Sequence, residues 1–236
     1  MIKHAMILAA GFGKRLNPLT LNDPKPLLKI GKETLLSNTL IFLKKFGVEN
    51  VTINVHYLSD KIISYIEKNK FNLHIKIIQE KEKILDTGGG VLNVIKNFNS
   101  SPFIVINPDT LWNEKYIEEL KLMEEFFLKK IENKCILLLV NKKKSFDTSF
   151  KGDFNLKNNF VKKIEKDNLI YIYTGLQIIR PEAFLNIKDK IFSINNVWEK
   201  LISINGLLGF ESKLEFKHVS NLHVYTNLIK NYSDIK

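Results

Sequence analysis

The sequence predicts an α/β fold, a doubly wound, mainly parallel, Rossmann-like mixed sheet with a smaller portion richer in antiparallel strand. Two observations predict it. Through residue 141, short apolar runs alternate with segments of helical spacing, and the first run feeds a glycine turn. After Lys142 the alternation gives way to short strand-like runs joined by a tight turn. Strands that alternate with helices across short links must run parallel, with the helices packed on the sheet faces.

Taken in order, Met6–Ala9 is a short apolar strand ending in a loop with Gly11 and Gly13. Residues 34–46 carry apolar side chains at helical spacing and stop at Gly47, a residue suited to a helix C-terminus. Val51–Val55 reads as a strand, and Ser59 is expected to cap a helix to about Lys70 with Ile62, Ile63 and Ile66 on one face. Leu73–Ile78 alternates as a strand, Gly88-Gly-Gly90 opens a short helix, and Phe103–Ile106 is a buried strand. A helix over 116–127 and a strand over Cys135–Val140 complete this half. Beyond it, 150–156 and 160–165 flank Lys157-Asn-Asn159 as a hairpin, and 171–173 and 176–179 add strand. Asn195-Asn196 is expected to cap a helix through Trp198 and Leu201. The second part is expected to lie over one edge of the first, as halves 1–141 and 142–236 of one domain spanning 1–236.

Composition narrows the functional classes. The chain is 44% apolar and 26% charged, which excludes wholesale disorder. Its longest early apolar run, Ala5–Ala10, is too short for a bilayer span or a secretory segment, so no membrane partner is expected. Cys135 is the lone cysteine, cannot form an internal disulfide, and fits a buried thiol in a cytoplasmic protein. The net charge of +11 raises nucleic-acid binding as a possibility. However, the lysines are scattered, and the densest run, Lys142-Lys-Lys144, lacks the interleaved aromatics of a single-strand platform. No nucleic-acid partner is expected, and that run reads as solvated surface. The histidines and the cysteine lack zinc-site spacing.

The most informative stretch is Leu8-Ala-Ala-Gly-Phe-Gly-Lys-Arg15, followed by Pro18-Leu-Thr20 and Pro24-Lys-Pro-Leu27. A strand entering a glycine turn presents backbone N–H groups to phosphate oxygens. Gly11 and Gly13 permit φ > 0 and close approach, while Lys14 and Arg15 add charged donors. The prolines around Lys25 restrict its backbone. A Walker A loop is excluded because Arg15 follows Lys14 where Ser or Thr is required. A dinucleotide loop is excluded because Leu16 stands at the third glycine position.

Residues 8–27 resemble the signature of the sugar-1-phosphate nucleotidyltransferases. The resemblance implies that Ala9, Ala10, Gly11, Gly13 and Lys14 wrap the NTP phosphates, with Arg15 and Lys25 at the reacting centre. Asp86-Thr-Gly-Gly-Gly90 reads by itself as a helix cap; in the family such a turn lies against the nucleoside, which assigns that role to Gly88 and Gly89. Its triple-glycine form is similar to that of bacterial N-acetylmuramate 1-phosphate uridylyltransferases. Gln79 reads equally as a base-edge contact or a polar strand end.

Asn107-Pro-Asp109 places a carboxylate just past the carboxyl end of a buried strand, where open α/β sheets bind ligands, or else at the start of the next helix. A hard oxygen there suits Mg²⁺, with Mn²⁺ as the alternative, and the resemblance makes Asp109 the metal-holding catalytic aspartate. Asp153, Glu165, Thr174 and Gly175 resemble sugar-contacting positions, although each also reads as turn or strand end. One departure stands out: in Lys217-His-Val-Ser-Asn221, His218 occupies the place of a metal-binding aspartate.

The implied reaction joins an NTP to a sugar 1-phosphate, with UTP and N-acetylmuramic acid 1-phosphate as first choice. Guanylyl transfer to mannose or heptose 1-phosphate is the runner-up, and a binding homologue without turnover is the rival from another class. A monomer or small homo-oligomer is expected.

Overall fold

The computed structural model describes residues 1–98, 101–162 and 168–233. Aliphatic runs supply the parallel strands β1 (His4–Ala9), β4 (Asn50–Val55), β5 (His74–Gln79) and β6 (Phe103–Ile106), with a small ribbon of β2 (Lys29–Ile30) and β3 (Glu33–Thr34) beside them. The remaining strands are β7 (Cys135–Asn141), β8 (Asn155–Lys157), β9 (Phe160–Lys162), β10 (Tyr171–Ile179) and β11 (Leu207–Ser212). The helices are α1 (Leu19–Asn22), α2 (Leu35–Phe46), α3 (Ser59–Lys68), α4 (Asp86–Val94), α5 (Lys115–Leu128), α6 (Asn195–Ser203) and α7 (Leu222–Ser233).

Among the described residues nine strands form one sheet in the order β5-β4-β1-β6-β10-β7-β11-β9-β8. β1 pairs parallel with β4 and β6, whereas β10 runs antiparallel between β6 and β7. The second half therefore lies only in part at an edge of the first: β11, β9 and β8 extend the sheet past β7, while β10 threads into its middle. The cause is burial on both faces: from Thr174 to Ile179 every residue of β10 is buried, a pattern only a central strand satisfies. The strand stretches expected at 171–173 and 176–179 are one strand, broken by a register shift between Tyr173 and Gln177.

Local signals explain most element ends. The Thr34 side chain accepts the Ser37 N–H at 2.9 Å and caps α2, which ends at Gly47 with φ 108°. Ser59 does not cap α3, because Leu58 is the cap residue and the Ser59 hydroxyl accepts Gln79 Nε2 at 2.8 Å. Asn158 and Asn159, with φ 52° and 63°, make the turn between β8 and β9. Two large apolar clusters lie on the sheet, one including α2 and α5 residues such as Leu40 and Phe127, the other including α4 and α6 residues such as Val94 and Trp198. A third joins α7 to the loop region through Leu16, Leu28, Leu35, Tyr225 and Leu228. Among the described residues no helix is long and apolar enough to cross a membrane.

Candidate active site

The carboxyl ends of β1 and β6 open into a cavity of about 340 Å³. Ala9, Ala10, Gly11, Gly13, Arg15, Lys25 and Asp109, separated by up to 100 positions in sequence, all line it. The glycine loop leaves β1 and is held from behind. Gly13 has φ 66°, and its carbonyl accepts the Thr20 hydroxyl at 3.0 Å. Phe12 packs on His56 and Tyr57 at 5.7 and 5.5 Å between ring centroids, so the loop tip leans on the segment after β4.

The two glycines serve different ends. A Cβ on Gly13 would meet Lys25 Cβ and Thr20 Cγ2 at 3.1 Å each, and its left-handed φ favours glycine. Gly11 has no positive φ, and a Cβ there would meet no protein atom within 4 Å. Space at Gly11 is open cavity, which is where a ligand oxygen can approach the backbone.

Asp109 is placed by contacts distant in sequence. Asn107 N–H donates to Gly175 O at 2.8 Å, and Val219 N–H donates to Asp109 O at 2.8 Å. Thr110 forms an antiparallel bridge with His218, which brings that imidazole to the carboxylate. Lys25 Nζ donates to Asp109 Oδ2 at 2.5 Å, with side chains only 14% and 18% exposed. Burial pushes the Asp109 pKa up, but the charges of His218 and Lys25 outweigh it and hold it down at about 2. Burial drives His218 below the ordinary imidazole range, against the pull of Asp109, so the ring is neutral near pH 7 and its charge acts on Asp109 only in the acid range where both titrate.

Asp109 Oδ1 and His218 Nδ1 face each other at 3.4 Å, both buried and both without a hydrogen-bond partner. A carboxylate oxygen and a neutral imidazole nitrogen left unsatisfied together fit a divalent cation, the nitrogen favouring Mn²⁺ over Mg²⁺. Among the described residues no group of three or more His, Cys, Asp or Glu converges, so phosphate oxygens and water would complete the shell.

Other expected positions fall differently. Lys14 holds its ammonium 5.3 Å from the Phe12 ring centroid and lines a side cavity with Arg15, Lys25 and Ser220. Gln79 is tied to Ser59 and does not line the main cavity. Gly88 and Gly89 do not line it either: their N–H groups donate to Phe192 O, and added Cβ atoms would lie 2.4 Å from the Phe192 ring and 2.2 Å from Lys190 O. Close packing of the 190–192 segment by itself requires those glycines. From the same turn Ile84, Asp86 and Thr87 line the cavity, with Asp86 at φ 61°.

Asp153 lines a separate cavity of about 300 Å³ with Tyr173, Asn195 and Trp198, and its carboxylate accepts the Tyr173 N–H at 2.9 Å. Thr174 does not face it: the side chain is buried and its hydroxyl donates to Leu138 O. Gly175, with φ 90°, backs onto Asn107, whose Cβ an added methyl would meet at 3.0 Å. Glu165 lies outside the described residues.

Asn54 was not anticipated. It is buried in β4, its Oδ1 accepts the Ala9 N–H at 3.0 Å, and its Nδ2 donates to Glu80 Oε1 at 2.7 Å. Glu80 in turn accepts the Leu85 N–H at 2.8 Å, so one amide ties the glycine loop to the Asp86 wall. An amide side chain inside the buried-type strand Val51–Val55 was the available signal.

A glycine cradle, a lysine–aspartate pair and a carboxyl-edge cavity define an α/β enzyme that handles nucleotide phosphates. The nucleotidyl transferase family model matches residues 4–150, more than half of the chain, and the chain belongs to that family. It is an enzyme of the sugar-1-phosphate nucleotidyltransferase class. It is 27% identical to an N-acetylmuramate alpha-1-phosphate uridylyltransferase of Caulobacter vibrioides over 93% of this chain and 92% of that protein. It is 36% identical to a mannose-1-phosphate guanylyltransferase catalytic subunit beta of Xenopus tropicalis, over 45% of this chain and 31% of that protein. The fold matches a crystal structure of UDP-glucose pyrophosphorylase complexed with UDP-glucose, with TM-score 0.78, 17% identity and full coverage of both chains.

Proposed function

We propose that this enzyme transfers the uridylyl group of UTP to N-acetylmuramic acid 1-phosphate and releases pyrophosphate. The observation that carries the transfer chemistry is the meeting of Gly11, Arg15, Lys25 and Asp109 in one cavity. Similarity over nearly the whole chain to the uridylyltransferase of Caulobacter vibrioides supports the choice of substrates. Similarity to the guanylyltransferase over less than half of the chain supports guanylyl transfer to mannose 1-phosphate as the second reading.

A phosphate oxygen of the sugar 1-phosphate attacks the α-phosphorus in line. The bond from that phosphorus to the bridging oxygen breaks, and pyrophosphate leaves with the electron pair. No general base is needed, because the nucleophile is already anionic. Catalysis is then positioning and charge neutralisation. The open backbone face at Gly11 receives phosphate oxygens, while Arg15 and Lys25 offset their charge. Ile84, Asp86 and Thr87 wall the nucleoside, and the Asp153–Trp198 cavity receives the sugar ring. Asp109 and His218 would hold the divalent cation, which when bound supplies Lewis-acid neutralisation of phosphate charge. On this reading residues 1–141 bind the nucleotide and 142–236 the sugar, in the cytoplasm.

The test is a matrix of NTPs against sugar 1-phosphates, read as pyrophosphate release with Mg²⁺ or Mn²⁺. Release is expected only when both substrates are present. NTP hydrolysis at the same rate without a sugar nucleotide would sink the proposal.

A further inference from the structure

The lysine run at 142–144, which reads in sequence as plain solvated surface, borders a cavity of about 600 Å³. Lys142 and Lys143 line it together with Lys151, and among the described residues no acidic one does. Among the described residues none of these three lysines forms an ion pair; Lys142 Nζ reaches only the Lys151 carbonyl, at 3.4 Å. Among the described residues, the carboxylate of Asp147, next to the wall residues Thr148 and Ser149, is already saturated. Its Oδ1 accepts the Ser149 N–H and hydroxyl, and its Oδ2 accepts the Ser220 hydroxyl. Three cations that no described carboxylate pairs, set around a concavity, focus a positive field there and favour an anion within it.

The place of this cavity says which anion. Phe150 in its wall stands 5.9 Å, between ring centroids, from His218, whose Nδ1 faces Asp109. Leu169 lines both this cavity and the one with Asp153, Tyr173 and Trp198. The basic cavity thus adjoins both the transfer centre and the proposed sugar cavity, which suits a group carried on the acceptor itself. We infer that Lys142, Lys143 and Lys151 recognise a second anionic group on the acceptor sugar 1-phosphate, a carboxylate or phosphate substituent of the ring. This inference rests on the proposed sugar-1-phosphate reaction and assigns to these lysines the choice of an acidic acceptor over its neutral counterpart.

The experiment uses two acceptors that differ by one acidic arm, N-acetylmuramic acid 1-phosphate and N-acetylglucosamine 1-phosphate. Both are titrated kinetically, and their direct binding to the full chain is measured by calorimetry. Lys142→Gln, Lys143→Gln and Lys151→Gln are combined in one variant, with Lys144→Gln, outside the cavity wall, as the control for bulk charge. Wild type is expected to bind the acidic acceptor more tightly. The triple variant is expected to raise its KM and Kd roughly tenfold or more, as lost charge-assisted contacts do. KM for the neutral acceptor, kcat, and all constants of Lys144→Gln are expected to stay put.

Equal wild-type affinity for the two acceptors, or equal losses on both in the triple variant, would overturn the inference. So would inorganic phosphate that binds at the lysines without competing with the acidic acceptor, since that marks a site for a free anion. Failure of the parent reading looks different: neither acceptor then yields a nucleotide sugar with any NTP, while the calorimetric comparison still decides the role of the lysines.

Discussion

Replacing Gly11 and Gly13 in turn separates space kept for a ligand from space required by the fold. An alanine methyl at Gly11 meets no protein atom within 4 Å, and its backbone is not left-handed. Such a substitution usually stabilises by about 0.4–1 kcal/mol, because the unfolded chain loses freedom. For a chain of this size that is a Tm unchanged or raised by up to about 4 °C. At Gly13 the φ of 66° and the 3.1 Å approach to Lys25 and Thr20 act the other way. A left-handed alanine costs about 1–2 kcal/mol, and the Tm is expected to fall by about 2–8 °C. Activity should invert the order of blame. If phosphate oxygens reach the backbone at Gly11, the methyl displaces a charge-assisted hydrogen bond of about 1.5–3 kcal/mol. That is a loss of roughly 10- to 150-fold in kcat/KM for the NTP from a fully folded enzyme. Pyrophosphate release across an NTP titration, run beside a thermal scan, gives both readings. Wild-type kcat/KM in Gly11→Ala would refute the placement of the phosphates at this loop.

The remaining expectations are simpler to state. Lys25→Ala and Asp109→Asn should each lower turnover at least roughly a hundredfold in a folded protein; near-normal activity removes that residue from the reaction. Lys25→Ala should also lose more stability than the double variant with Asp109→Asn, because it strands a carboxylate only 18% exposed; equal melting temperatures would show that the pair carries no such cost. His218→Asp should lower the half-saturating Mg²⁺ concentration at fixed NTP and narrow any advantage of Mn²⁺, while an unchanged curve leaves His218 outside the metal site. Gly88→Ala, whose methyl would sit 2.4 Å from the Phe192 ring, should lower Tm with little change in KM for the NTP; the reverse pattern restores a nucleoside contact. Burial raises the Cys135 thiol well above its ordinary range, so iodoacetamide should modify it only after unfolding. The linked stability is present below the ordinary thiol pKa and declines above it, where only the unfolded chain ionises; labelling of the native protein at pH 8 contradicts this burial.

Much of the molecule is legible in local sequence. Periodicity alone places β4, β6, α2 and α5 within a residue or so of their observed bounds, and Thr34 and Gly47 mark the ends of α2. The glycine loop with Lys25 and Asp109 is equally legible, because the chemistry of each residue and its position after a strand are visible within a few neighbours. Distant contacts decide the rest. β10 enters between β6 and β7, α7 buries Tyr225 and Leu228 against Leu16 and Leu28 behind the loop, and segment 190–192 presses on Gly88 and Gly89. Lysines scattered in sequence become a walled basic cavity only when residues 142–151 fold beside Asn168 and Leu169. The sequence by itself thus determined the elements and the residues that line the main cavity at the glycine loop, since propensity, periodicity and capping act over one or two turns of chain. Tertiary structure alone decided strand order, the partner of Asp109 and the purpose of each glycine, because these follow from which surfaces exclude water together across a hundred residues or more.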